Sequence, residues 1–286
     1  MVYDLNQVGV SIAGREILHH VSCRIQEGKW ISIIGQTGAG KSTFVKVIKG
    51  LIPSYTGEYR IHQQLLPNDS KGRMEAVRDI GFVFQYPEHQ IFETTVYKEL
   101  TFTLRMRGYS SQRIEEAIEP VLERVGLSAD MLPLAPFHLS GGQKRRVAIA
   151  SVLIADPKLL ILDEPTAGLD PLSRRALLQM LKEWQQKNNR TVLFISHHME
   201  DVAEYSDEVM IFHQGRLLEH TDADTLFLKN AELMEQAGLP LPEPVQLLRL
   251  VEELSGQSIE VDSCREQDIL DKVRLVWQAR GLHHDG

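Results

Sequence analysis

Apolar residues along this chain form short continuous runs that alternate with stretches of helical periodicity. Four such runs stand out, at residues 30–34, 80–84, 159–162 and 191–195. Runs that are apolar at nearly every position are typical of strands buried on both faces of a parallel sheet. Between the first two, apolar residues recur at helical spacing from Phe44 to Leu51, and this pattern stops before Pro53. Strands separated by helices predict an α/β fold with a mostly parallel sheet.

Two further segments have patterns of their own. The first 30 residues alternate loosely between apolar and polar positions, which predicts short strands and hairpins in an N-terminal antiparallel β subdomain. Residues 93–150 contain no strong strand pattern, and we predict an inserted helical subdomain there. Five apolar residues of this segment fall on one helical face, namely Ile114, Ile118, Val121, Leu122 and Val125.

The pattern changes again near residue 236, so we predict one domain at 1–235 and a C-terminal extension at 236–286. Three prolines within 240–244 mark a linker or a sharp turn. Two short amphipathic helices are predicted after it, with apolar faces at Leu247, Leu248, Val251 and Leu254, and at Ile269, Leu270, Val273, Val276 and Trp277. Helices this short are marginal alone in water, so each must pack against another surface.

Composition narrows the class of protein. The chain has 286 residues, 43% hydrophobic and 24% charged, which excludes disordered and fibrous proteins. No run approaches 18 apolar residues and the start lacks a signal-like segment, so we expect neither a membrane span nor secretion. The two cysteines are far apart and are expected to be ordinary thiols in the cytosol. Most of the net charge of −8 lies beyond residue 221, which argues against a nucleic-acid partner.

A glycine-rich loop follows the first apolar run and precedes the predicted helix. It reads Gly35, Gln36, Thr37, Gly38, Ala39, Gly40, Lys41, Ser42 and fits G-x-x-x-x-G-K-[ST], the phosphate-binding loop. Thr43 follows directly and is also expected to bind the nucleotide. The glycines of the loop let successive backbone N–H groups point at phosphates, and the following helix presents its positive end. Lys41 is expected to reach the β and γ phosphates of a nucleotide, and Ser42 to ligate Mg²⁺.

Two acidic residues follow the third apolar run. Asp163 is expected to supply a second contact to Mg²⁺, because an apolar strand delivers it beside the phosphate loop. Glu164 comes next and is expected to take a proton from an attacking water. Together with the loop, these residues predict a nucleotide hydrolase.

Further motifs make the chain similar to one family. Leu139–Gln143 reads Leu-Ser-Gly-Gly-Gln and resembles the signature of ABC-type ATPases. Gln85 matches the Q-loop glutamine of that family, Ala167–Asp170 matches the D-loop, and Ser196-His197 matches the switch. All of these motifs occur along the chain in the order typical of the family. The resemblance covers residues 1 to about 235.

The resemblance implies a role for each motif. Ser140, Gly141, Gly142 and Gln143 would bind the γ-phosphate of an ATP held by the phosphate loop of a second ATPase chain, so that two nucleotides lie between two chains. Gln85 would sense Mg²⁺ and the attacking water, and His197 would contact the γ-phosphate. Asp170 would lie at the seam between the chains. ATP and Mg²⁺ are the implied cofactors.

Other segments narrow the resemblance to the ATPases of energy-coupling factor (ECF) transporters. These segments are residues 85–92, followed by 95–96, and residues 145–150, 165–171 and 238–242. Such ATPases drive uptake of vitamins or transition metals, as homodimers or as pairs of related chains. They lie peripherally on the cytoplasmic side of the cell membrane, beneath an integral membrane coupling subunit and a substrate-binding membrane subunit. The acidic C-terminal extension would contribute to dimerisation. The alternative is that it has a purely structural role within its own chain.

Some residues depart from the family pattern. Ile12 stands where an aromatic side chain usually stacks on adenine, and His198 stands where many relatives carry Asp, so His198 is given no role. Lys144–Arg146 is expected to be a solvated helix face rather than a phosphate or nucleic-acid site.

An ATPase of another ABC importer and a non-transport ABC regulatory ATPase remain alternatives. A GTPase is disfavoured because no N-K-x-D motif is present, and a metabolic kinase would leave Leu139–Gln143 unexplained.

Overall fold

The computed structural model describes residues 2–66 and 77–281 of the chain. Ten strands lie in these ranges: β1 (Tyr3–Ile12), β2 (Arg15–Ile25), β3 (Trp30–Ile34), β4 (Thr56–Ile61), β5 (Gln64–Leu65), β6 (Ile80–Val83), β7 (Leu159–Asp163), β8 (Thr191–Ile195), β9 (Glu208–His213) and β10 (Arg216–Asp222). The α-helices are α1 (Lys41–Lys49), α2 (Val96–Met106), α3 (Ser111–Val125), α4 (Gly141–Leu153), α5 (Pro171–Lys187), α6 (Met199–Tyr205), α7 (Glu232–Gln236), α8 (Glu243–Ser255) and α9 (Glu266–Gly281).

A six-stranded sheet in the order β10-β9-β3-β8-β7-β6 forms the centre of the fold. All neighbours pair in parallel except β9 and β10, which form an antiparallel hairpin at one edge. The four strands predicted from the apolar runs are confirmed, although β6 ends at Val83. Because β3, β8 and β7 are adjacent and parallel, their carboxyl ends lie side by side. The segments that follow these three strands contain Gly35, Ser196 and Glu164.

A four-stranded antiparallel sheet in the order β2-β1-β4-β5 forms the N-terminal β subdomain. Strands β1 and β2 lie in the predicted region, whereas β4 and β5 lie beyond it. The apolar side chains of this sheet share one core with α1, including Leu18, Phe44 and Tyr59. The Tyr59 hydroxyl also donates to the Ile48 carbonyl oxygen at 3.0 Å. These contacts fix α1, and therefore the loop before it, between the two sheets. The predicted helix ends at Lys49, because Gly50 closes it in a left-handed conformation.

The described residues between β6 and β7 are helices and turns. All five residues of the predicted helical face, Ile114 to Val125, are buried in α3. They share a core with Leu100 of α2 and Val147 of α4. This packing fixes α4, which begins directly after Ser140.

The C-terminal extension forms the two predicted helices, but the prediction of the first apolar face was wrong in part. In α8, Val245, Leu248 and Val251 are buried, whereas Leu247 is 37% and Leu254 62% exposed. Leucine and valine occur around most of the circumference of α8, so the sequence does not single out one apolar face. The face that packs contains residues three apart, which are Val245, Leu248 and Val251. The side chains of this face share a core with α6 and β9.

The second helix of the extension follows its prediction more closely. Ile269 and Val273 of α9 are buried in the same core as α8. Trp277, predicted on the same face, is 62% exposed. The prediction for Trp277 was therefore wrong, since α9 packs through its N-terminal half and its later turns extend beyond the core.

Candidate functional site

The glycine loop joins β3 to α1 and presents an uncapped helix N-terminus. Gly35 has φ 149°, and a Cβ there would lie 2.3 Å from the Phe212 carbonyl oxygen. Gly40 has φ 100° and is the N-cap of α1, and within residues 2–66 and 77–281 no side-chain hydrogen bond caps this helix. These amides and the helix dipole form a site suited to an anion, as the sequence predicts.

Lys41 is buried against this loop. Its ammonium donates to the carbonyl oxygens of Gly35 at 2.6 Å and Gln36 at 3.0 Å. Burial lowers the pKa of Lys41, while the nearby carboxylates of Glu164 and Asp163 oppose that shift. Lys41 therefore places a positive charge within the loop that would receive phosphates.

Asp163 and Ser42 meet where β7 ends beside α1. The Ser42 hydroxyl donates to Asp163 Oδ1 at 3.3 Å. Burial is the main cause that raises the pKa of Asp163, with the Ser42 hydrogen bond opposing it. A hydroxyl and a carboxylate are hard oxygen ligands of the kind that Mg²⁺ prefers, so this pair fits the predicted ion.

Glu164 is held in an unusual backbone conformation directly after the carboxyl end of β7. Its φ is 48°, in the left-handed region. Its amide donates to the Ile195 carbonyl oxygen at 3.1 Å, and its carbonyl oxygen accepts from the Ala167 amide at 3.2 Å. A non-glycine residue in this region is strained, and such strain concentrates at functional sites.

The Glu164 carboxylate is flanked by two of the predicted site residues. Gln85 Nε2 donates to Glu164 Oε2 at 3.0 Å, and His197 Nδ1 lies 3.6 Å from the same oxygen. The three residues come from the segments after β6, β7 and β8, which are adjacent strands. The structure thus brings together side chains that are up to 112 residues apart in the sequence.

His198 lies beside this group. Its ring centroid is 4.3 Å from that of His197. Burial, and then the neighbouring His197, lower the pKa of His198.

The Ser140 segment begins α4. The Ser140 hydroxyl accepts from the Gln143 amide at 3.3 Å, and the Gln143 side chain accepts from the Ser140 amide at 2.9 Å, which is a capping box. A Cβ on Gly141 or Gly142 would meet nothing within 4 Å. This helix start is therefore open, and across residues 2–66 and 77–281 no hydrogen bond or ion pair joins Ser140 to its own phosphate loop.

Asp170 caps another helix. Its carboxylate accepts from the amides of Leu172 and Ser173 at the start of α5, at 3.1 and 3.0 Å. The bonds from Ser173 are the main cause that lowers its pKa. Asp170 thus fixes the turn between Glu164 and α5, which adjoins the group at Glu164.

Arg145 is a residue that the sequence analysis assigned wrongly. It is 5% exposed rather than part of a solvated face. It forms a bidentate ion pair with Glu88 and donates to the Ala167 carbonyl oxygen. Its neighbour Arg146 instead donates to the Gly126 carbonyl oxygen at 2.9 Å. The available signal was that Arg145 precedes buried Ile149 by one turn, which places it on the packed side of α4.

Two further observations concern the surface. Ile12, at the end of β1 opposite Arg15, is 50% exposed. Among the residues that the structure describes, no helix is both long and apolar enough to cross a lipid bilayer.

Comparison with known proteins places these features in context. Residues 18–167 match the ABC transporter family model. The chain is 38% identical over 92% of its length to the energy-coupling factor transporter ATP-binding protein EcfA2 of Bacillus subtilis, covering 96% of that protein. It is 40% identical to EcfA2 of Acetivibrio thermocellus, over 84% of each chain.

A solved structure shows the same fold. CbiO1 from Clostridium perfringens, described as part of the ABC transporter complex CbiONQ, superposes with a TM-score of 0.73 at 30% identity. The match covers 86% of this chain and 98% of that one.

Proposed function

This chain belongs to the ABC transporter family, among the ECF transporter ATP-binding proteins, and we propose that its Glu164 site hydrolyses ATP to drive uptake of vitamins or transition metals. The observation that carries the site assignment is the convergence of Gln85 and His197 on the Glu164 carboxylate. The relatives favour this function over the ATPase of another importer and over a non-transport ABC ATPase.

Each residue has a task in the proposed reaction. Glu164 accepts a proton from water as the water oxygen attacks the γ-phosphorus, and the bond from that phosphorus to the bridging oxygen breaks to leave ADP. Gln85 orients the carboxylate, and His197 contacts the γ-phosphate. Residues 35–43 bind the phosphates through their amides and Lys41.

Ser42 and Asp163 are the residues that would hold Mg²⁺, with Gln85 as a further ligand. Their oxygen donors suit this ion. When bound, Mg²⁺ neutralises charge that develops on the phosphate oxygens.

A second ATPase chain completes the site in this proposal. The helix start at Ser140–Gly142 is exposed, and in the part of the chain that the structure describes no hydrogen bond or ion pair joins it to its own phosphate loop. It is therefore available to the γ-phosphate bound by a partner, where Asp170 would lie at the seam. The extension at 236–286 would contribute to the same contact between chains.

Membrane partners are the remaining part of the proposal. We place the chain on the cytoplasmic side of the membrane, beneath a coupling subunit and a substrate-binding subunit. Large apolar side chains are exposed near the Gln85 segment and the inserted helices, namely Tyr86, Phe92, Met106 and Phe137. We propose that these exposed side chains contact the membrane partners.

Purification of the tagged chain from native membranes in a mild detergent tests this function. We expect a second ABC ATPase, one common membrane subunit and small variable membrane proteins to copurify. A matched chain with Phe92→Ser and Phe137→Ser should lose the membrane subunits. A single dedicated permease, or recovery without any membrane protein, would contradict the ECF assignment.

A further inference from the structure

Arg145 lies one turn beyond Ser140 in α4 and is anchored at three points. Its Nε and Nη2 donate to the two carboxylate oxygens of Glu88 at 2.8 and 2.6 Å. Its Nη1 donates to the Ala167 carbonyl oxygen at 2.9 Å. A paired, planar guanidinium of this kind fixes direction as well as distance, which a lysine ammonium does not.

The anchors of Arg145 belong to the segments that orient Glu164. Glu88 lies in the turn Pro87–Gln90, three residues after Gln85. Ala167 donates its amide to the Glu164 carbonyl oxygen at 3.2 Å. Gln85 also bonds the Glu164 side chain, and the backbone of residues 85–88 joins Gln85 to Glu88. These links form a closed circuit through Glu164, Gln85, Glu88, Arg145 and Ala167.

The ion pair at the centre of this circuit is largely buried. Arg145 is 5% exposed, and the Glu88 side chain is 16% exposed. Burial opposes ionisation of Glu88, but the hydrogen bonds from Arg145 prevail and hold the pKa of Glu88 below its ordinary value. Leaving either charge without its partner in such surroundings is costly, so the pair moves as one unit.

We propose that Arg145 is a positioning residue that couples the orientation of α4, and with it the phosphate site at Ser140, to the orientation of Glu164. This inference rests on the proposed function. Engagement of a phosphate at the start of α4 sets the direction of Arg145, which holds Glu88 and Ala167, and these set Gln85 and Glu164 in place. Arg145 itself does not touch the reacting atoms.

The test compares Arg145→Lys with Arg146→Lys in the purified full transporter complex. Arg146 is the matched control, because it also donates to a backbone carbonyl oxygen but has no link to Glu88 or Ala167. We expect Arg145→Lys to lower kcat about tenfold to hundredfold with KM for ATP unchanged, since small misplacement of a catalytic group has effects of that size. Arg146→Lys should change kcat by less than about twofold.

Double substitution separates positioning from stability. Glu88→Gln should lower kcat as Arg145→Lys does, and the double variant should be no worse than either single one, because both break the same pair. Melting temperatures are measured on all variants. A wild-type kcat in Arg145→Lys, additive losses in the double variant, or a loss that follows the fraction unfolded would overturn the inference. Failure of the wild-type complex to hydrolyse ATP would instead overturn the proposed function.

Discussion

Replacing Glu164 with glutamine tests the assignment of the catalytic base. The change keeps the shape of the side chain and removes its capacity to accept a proton at neutral pH. Gln85, 3.0 Å away, and the backbone bonds of residue 164 to Ile195 and Ala167 are expected to remain. Lys41 and the loop amides are untouched, so ATP binding should persist.

The expected loss follows from the single proton transfer that is removed. General base catalysis contributes about 10²–10⁴-fold, which corresponds to roughly 3–5 kcal/mol of activation free energy at 1.36 kcal/mol per tenfold. Phosphate release would be measured at saturating ATP, together with nucleotide affinity and mass by sizing chromatography. We expect kcat to fall within that range while the variant binds ATP and accumulates as a closed dimer.

Glu116→Gln is the matched control, because Glu116 is exposed in α3 and bonds only to Gln112 among the contacts that the structure describes. It should hydrolyse ATP at the wild-type rate. Turnover of Glu164→Gln within about threefold of wild type would refute the reasoning and require a different base.

Three other substitutions give separate tests. Lys41→Ala should lower ATP affinity by at least about tenfold, because it removes the positive charge proposed to bind the phosphates; wild-type binding by calorimetry would remove that role. His197→Ala should lower kcat about tenfold or more with affinity retained, and a pure binding defect would contradict it. Burial raises the pKa of Asp201 to about 6 from an ordinary 3.8. The folded chain therefore binds the Asp201 proton more tightly, and the contribution of Asp201 to the free energy of unfolding falls by roughly 3 kcal/mol as pH rises from about 4 to 6. Asp201→Asn should lack this dependence in melting scans; equal slopes would refute it.

Four strands of the central sheet could be predicted from the sequence, because strands buried on both faces carry an unbroken apolar signal. The edge hairpin was not singled out. Its first strand, β9, carries such a signal at 209–212 and was overlooked, whereas β10 has only exposed and half-buried positions. Strand β4 was missed for a similar reason, since Thr56–Ile61 begins with a glycine-containing polar stretch and has one fully buried position, Tyr59. Partly exposed strands are recognised from their pairing, which is a tertiary property.

The site residues were predicted in type but not in their mutual arrangement. The resemblance to ABC ATPases identified Gln85 and His197, and the apolar run before it identified Glu164. Their meeting at one carboxylate depends on the adjacency of β6, β7 and β8. Arg145 was assigned to solvent because charge suggests exposure, whereas its partner Glu88 lies 57 residues away. Local sequence carries no record of such a long-range pair.

The central claim is that this chain hydrolyses ATP as a subunit of a membrane transporter complex. The most direct measurement is ATP hydrolysis by the complex purified from native membranes, with the wild-type chain and with Lys41→Ala. We predict that both chains copurify with the same membrane subunits and that only the wild-type complex hydrolyses ATP. Equal hydrolysis by the two complexes, or an active wild-type chain without membrane subunits, would contradict the account.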